Sequence, residues 1–161
     1  MANNEKTIAE LAEMMADKDL ETARTGKRKL WQRIRNAGQP GKDQQRQAAV
    51  DELLKLSGKD QPAPVRREVI WMLSEIGGDE CVDAVAAMLA DADLREDARM
   101  VLQRLPGDKS LEALKAGMTA APAESKPNIA ESLRARGVEV ADIPDEKLKP
   151  CRETKVTPVG R

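Results

Sequence analysis

The stretch Val65-Arg66-Arg67-Glu68-Val69-Ile70-Trp71-Met72-Leu73-Ser74-Glu75-Ile76-Gly77-Gly78 aligns without a gap on Leu94-Arg95-Glu96-Asp97-Ala98-Arg99-Met100-Val101-Leu102-Gln103-Arg104-Leu105-Pro106-Gly107, from residue 65 onto residue 94. The shift pairs Val65 with Leu94, Val69 with Ala98, Leu73 with Leu102, Ile76 with Leu105 and Gly78 with Gly107. It continues into the following segment, where Asp79, Val82, Val85 and Leu89 fall on Asp108, Leu111, Leu114 and Met118. In the first half of each unit the apolar positions recur at i, i+4, i+8 and i+11, one stripe of a helix. Gly-Gly or Pro-Gly then stops that helix, and Asp79 or Asp108 is placed to cap the next. A helix–turn–helix unit repeated at this period cannot bury both its stripes alone, so neighbouring units must stack.

Outward from this register, the repeats at 65–91 and 94–120 have weaker copies on both sides. Residues 124–137 keep Ile129 and Leu133 on one face and end at Gly137, but carry Arg136 where an apolar residue is expected; they read as a capping helix. Upstream, Leu30, Ile34, Ala37 and Gly38 match Val69, Leu73, Ile76 and Gly77, so residues 20–56 form a divergent repeat, with its turn at Gly38–Gly41. A short amphipathic helix over 5–17 precedes it, with Thr7 as N-cap and Glu10 completing a capping box. Residues 57–64 read as a loop. After Gly137 the pattern ends, and 138–161, with Pro144, Pro150 and Pro158, reads as a tail that is either disordered or laid over the last helices. Residues 1–137 thus form one helical repeat domain.

Composition agrees. The 161 residues include no Phe, no Tyr and no His, and Trp31 and Trp71 are the only aromatics. Sheets rely on aromatic and β-branched residues, whereas Ala, Leu, Met, Glu, Lys and Arg retain side-chain freedom in helices. An all-α class follows. Without His, the usual general base and metal ligand near neutrality is missing. Cys81 and Cys151 match no zinc or CxxC spacing, and whether they pair is open. No apolar run approaches the roughly 20 residues of a membrane span, and the polar N-terminus gives no targeting signal; a cytoplasmic location is expected.

The pattern Val65-Arg66…Leu73…Ile76-Gly77-Gly78-Asp79, with partners Leu94, Arg95, Leu102, Leu105, Gly107 and Asp108, resembles the HEAT repeat, in particular the short HEAT-like repeats of phycobilin lyases. The resemblance covers 65–137 well and 20–56 loosely. It implies an α-α superhelix, a HEAT-like solenoid of about three to four helical pairs with an extended C-terminal tail, serving as a binding scaffold. Relatives of that family include lyase subunits and DNA-glycosylase relatives, so the fold alone does not decide function.

Candidate contact residues fall in two places. Arg24, Lys27, Arg28 and Arg35 share one helix face, which could meet phosphates or an acidic protein, or be a solvated face offset by Glu10, Asp17 or Glu21. Trp71 lies away from the buried stripe and its counterpart is Met100; the two form an exposed patch, unless loops or the tail cover Trp71. The acidic run from Asp79 to Asp97 lacks the order of a calcium loop, and helix starts account for most of it. Cys81, beside Glu80 and Asp83, is a poor nucleophile. The resulting expectation is a non-enzymatic, cofactor-free and metal-free scaffold for an unidentified protein partner, with a monomer expected in preference to an oligomer. Nucleic-acid binding through residues 24–35 is the alternative, and a lyase- or glycosylase-like activity the second.

Overall fold

The computed structural model describes residues 6–148, and among these all regular structure is helical. The α-helices are α1 (Ile8–Met15), α2 (Leu20–Ala37), α3 (Asp43–Lys55), α4 (Ala63–Ile76), α5 (Val82–Ala86), α6 (Arg95–Arg104), α7 (Asp108–Ala120) and α8 (Lys126–Ala135). No helix is long and apolar enough to cross a membrane.

Local chemistry sets the boundaries. Thr7 accepts the Glu10 amide at 3.1 Å while the Glu10 carboxylate accepts the Thr7 amide at 2.6 Å, the reciprocal box read from sequence. That bond, chiefly the Thr7 amide, holds the Glu10 carboxyl below its ordinary pKa. Asp19 caps α2 through the Thr22 amide at 2.8 Å and is lowered for the same reason. Helix α4 begins at Ala63, inside the segment expected to be loop, because Pro64 falls in the first turn, where its missing amide has no partner to lose. Asp79 and Asp108 are not side-chain caps as expected. Each is the first residue of its helical segment, where the carboxylate meets the helix dipole rather than an amide. The helix expected from Asp79 onward is also not uniform: Asp79–Cys81 and Ala87–Ala90 are 3-10 turns flanking the five-residue α5. No side chain caps these segments, and tighter i→i+3 bonds satisfy the ends instead.

Helices α2, α4, α6 and α8 pack in succession, each on the next; α3 contacts α2 and α4, α5 contacts α6 and α7, and α7 contacts α6 and α8. Helix α1 closes the other end, against α2 and α3. The stripes Leu30/Ile34, Val65/Val69/Leu73/Ile76, Leu94/Ala98/Leu102/Leu105 and Ile129/Leu133 are all buried in one continuous core with Val50, Leu53, Val82, Val85 and Leu114. Burying one such Leu, Ile or Val contributes about 1.5–3 kcal/mol. Helix α4 contributes the most buried residues, since Ile70 and Met72 join its stripe at zero exposure.

Arginines fix the spacing of the layers. Arg66 donates to Ser57 O at 3.2 Å and to Asp91 at 3.1 Å, and Arg95, its counterpart in the register, donates to Leu89 O at 2.8 Å and to Ser125 Oγ at 3.3 Å. Each ties the end of the preceding helix to the connection leading into the next unit. Arg136, the polar exception in the last repeat, donates to the carbonyls of Leu102, Leu105 and Gly107, the last of these at 2.9 Å. With the Ser110 hydroxyl, which also reaches Leu105 O and Gly107 O, it thereby satisfies acceptors at the turn from α6 to α7 that an apolar residue could not. The described part of the tail lies along α8: Arg134 donates to Val140 O and Ile143 O, and Val138 and Val140 pack on the core. The expectations for Cys151 and for residues 149–161 lie outside the described residues.

Candidate functional site: the outer face of the α2–α4–α6 layer

On α2, Lys27 and Trp31 are one turn apart, and both reach Glu68 on α4: the lysine ammonium pairs with one carboxylate oxygen and the indole Nε1 donates to the other at 3.0 Å. On α4, Arg67 and Trp71 are again one turn apart, and both reach Asp97 on α6, Arg67 Nε at 2.8 Å and Trp71 Nε1 at 3.1 Å. Glu68 and Asp97 are paired in the sequence alignment of residues 65–78 on 94–107. Two successive helix contacts are therefore closed by one device, a carboxylate held between a cation and an indole N–H. Arg67 also donates to Asp93 O at 2.8 Å, which anchors the start of α6. The Asp97 side chain is only 10% exposed. Its pairing is therefore a partly desolvated one and holds geometry better than a surface ion pair does.

The third contact, α6 on α8, is made differently. The register places Glu96 where Arg67 stands and Met100 where Trp71 stands. Here the buried Arg99 pairs with Glu96 and donates to Ser132 Oγ, and Ser132 donates in turn to Gln103 at 2.8 Å. Met100, released from the interface, is 42% exposed.

Trp71 is half-buried, and its cover is α6: Asp97 takes the indole N–H, and the Arg104 guanidinium lies 5.6 Å from the ring centroid. The pair Trp71 and Met100 is thus unequal, one ring tied into the helix contact and one thioether facing solvent. A signal for this was present in the sequence, since a basic residue four before a Trp occurs at both 27/31 and 67/71.

The basic face of α2 is real but partly neutralised. Arg24, Lys27, Arg28, Trp31, Gln32, Arg35 and Asn36 line a shallow open depression of about 650 Å³ along the helix. Of the carboxylates expected to offset it, Glu21 pairs with Arg24 at 3.2 Å. The larger offset comes from α4, through Glu68 on Lys27 and Glu75 on Arg35 at 3.2 Å. Arg35 also lies 4.9 Å from the centroid of the Trp31 ring. Arg28 stays exposed with no ion-pair or hydrogen-bond partner among the described residues.

Other groups with chemistry are enclosed. Cys81 is a free thiol at zero exposure, and burial first, then the Glu80 charge, pushes its pKa up to about 11. The acidic neighbours considered from sequence are thus the smaller cause. Glu80 itself is lowered: partial burial pulls it upward, but its own amide and Arg46 at 3.1 Å outweigh that. Among the described residues no cluster of acidic, Cys or His side chains has metal-binding geometry. No family model, curated protein or solved structure matches this chain.

Proposed function

We propose that the chain is a HEAT-like α-solenoid acting as a non-catalytic scaffold for a protein partner. The fold part of this reading is supported by the successive packing of α2, α4, α6 and α8, with equivalent arginines and carboxylates at equivalent contacts. The functional part is carried by one observation. The partly buried carboxylates on the layer, Glu68 and Asp97, are engaged in joining helices, while side chains free to meet another molecule remain on its outside, at Arg28, Gln32 and Met100. Such a surface offers recognition rather than a reacting centre. Nucleic-acid binding is the second reading, favoured only by the residual positive charge of α2; it is weakened by the three glutamates interleaved with that charge.

A photo-cross-linking residue placed at Gln32 or at Met100 in the intact chain, expressed in its native cell, tests this. Cross-links to a protein that rebinds the purified chain in isolation are expected at one or both positions. Cross-links to nucleic acid alone, or to nothing at either position, overturn the proposal.

A further inference from the structure

Helix α2 carries six basic residues, Arg24, Lys27, Arg28, Lys29, Arg33 and Arg35, against the single acid Glu21, in a chain whose formal net charge is −1. After the ion pairs with Glu21, Glu68 and Glu75, the face is still positive, and the unpaired guanidinium of Arg28 sits within the depression. One turn before Arg28 is Arg24, whose pair with Glu21 has side chains 72% and 80% exposed. A pair so open to water is worth little and is readily exchanged for another carboxylate. One and two turns after Arg28 are the amides of Gln32 and Asn36, which both donate and accept. From Arg24 to Arg35 the helix rises about 16 Å, the length of about five residues of extended chain.

We infer that this face docks a short acidic segment of the partner protein, lying extended along α2 with carboxylates on Arg24 and Arg28 and main chain over Gln32 and Asn36. The inference rests on the scaffold reading above and names its ligand chemistry. Arginine suits the role because its planar fork takes a carboxylate through two parallel hydrogen bonds. The length of the face and its interleaved glutamates select against a long polyanion. Double-stranded nucleic acid brings one charge per roughly 1.7 Å and would set phosphates against Glu21, Glu68 and Glu75. Stacking a base would need an open ring face and several aromatics. Trp31 is half-buried, its N–H is given to Glu68, and Arg35 lies against it.

The test is fluorescence anisotropy with the full chain and a fluorescein-labelled pentaglutamate peptide at low salt, with an oligothymidylate of equal charge as competitor. Binding is expected to weaken with salt, to fall about tenfold or more in Arg28→Glu, to fall less in Arg28→Lys, and to persist in Lys115→Glu on α7. Equal losses in Arg28→Glu and Lys115→Glu would mean diffuse attraction and overturn the inference. So would tighter binding of the oligothymidylate than of the peptide. No peptide binding at all also overturns it, and leaves the scaffold reading to be decided by the cross-links at Met100.

Discussion

The indole N–H of Trp71 is donated to Asp97, one helix further along the stack, at 3.1 Å, and Arg67 takes the other oxygen of the same carboxylate at 2.8 Å. An aromatic residue that sequence periodicity sets outside the core is therefore part of the joint between helices. Its ring adds apolar cover while its polar edge satisfies a carboxylate that is nearly out of water. The repetition of the device at Trp31 and Glu68 makes it a property of the layer and not an isolated contact.

Trp71→Phe keeps most of the ring but removes the donor, so a loss of about 1–2 kcal/mol in urea unfolding is expected. Asp97→Ala in the same background should then cost less than it does alone, because the two side chains share one interaction. Additive effects of the two changes would mean that the hydrogen bond contributes nothing.

Gly26→Ala should destabilise the chain by about 1–3 kcal/mol although alanine is the better helix former by about 1 kcal/mol. A Cβ at Gly26 would lie 2.7 Å from Met14 Cβ and 2.8 Å from the Met15 backbone nitrogen, so α1 must move away from α2. Hydrogen exchange should show loss of protection concentrated in Ile8–Met15. A neutral or stabilising outcome would contradict the close approach of the two helices.

Arg136→Leu restores the residue type that the repeat pattern expects, yet a loss of about 1–3 kcal/mol is expected. It removes the guanidinium donor from the carbonyls of Leu102, Leu105 and Gly107, of which the Ser110 hydroxyl reaches only the last two. Thermal unfolding of this variant beside the wild-type chain gives the answer, and a raised midpoint would show the arginine to be dispensable.

The Cys81 thiol has a folded pKa raised from 9.0 to about 11, so the unfolded chain releases its proton first as pH rises. The stability linked to this group is complete below about pH 9 and is lost as pH climbs through 11. In a Cys151→Ser background, Cys81→Ala should flatten the fall in stability over that alkaline window. In the same background the native thiol should resist a thiol-specific dye at pH 8 and react on unfolding. Rapid reaction in the native state would contradict its burial.

The sequence alone carried the helical class, because the 29-residue shift brings Val65, Val69, Leu73 and Ile76 onto Leu94, Ala98, Leu102 and Leu105, and one buried stripe per helix follows from a 3.6-residue period. The Thr7–Glu10 box was legible for the same reason: its chemistry is local and closes within four residues. The partition of charge on the outer face was not legible. Lys27 meets Glu68 and Arg35 meets Glu75 across some forty residues of chain, so of the carboxylates expected nearby only Glu21 pairs on this face, and two of the three that neutralise it belong to α4. The role of Arg136 and the cover of Trp71 were hidden likewise, since both depend on α6. Periodicity reports which side of each helix is apolar; only the stacking of one helix on the next decides which polar groups find partners, and hence that Arg28 and Met100 are left facing outward.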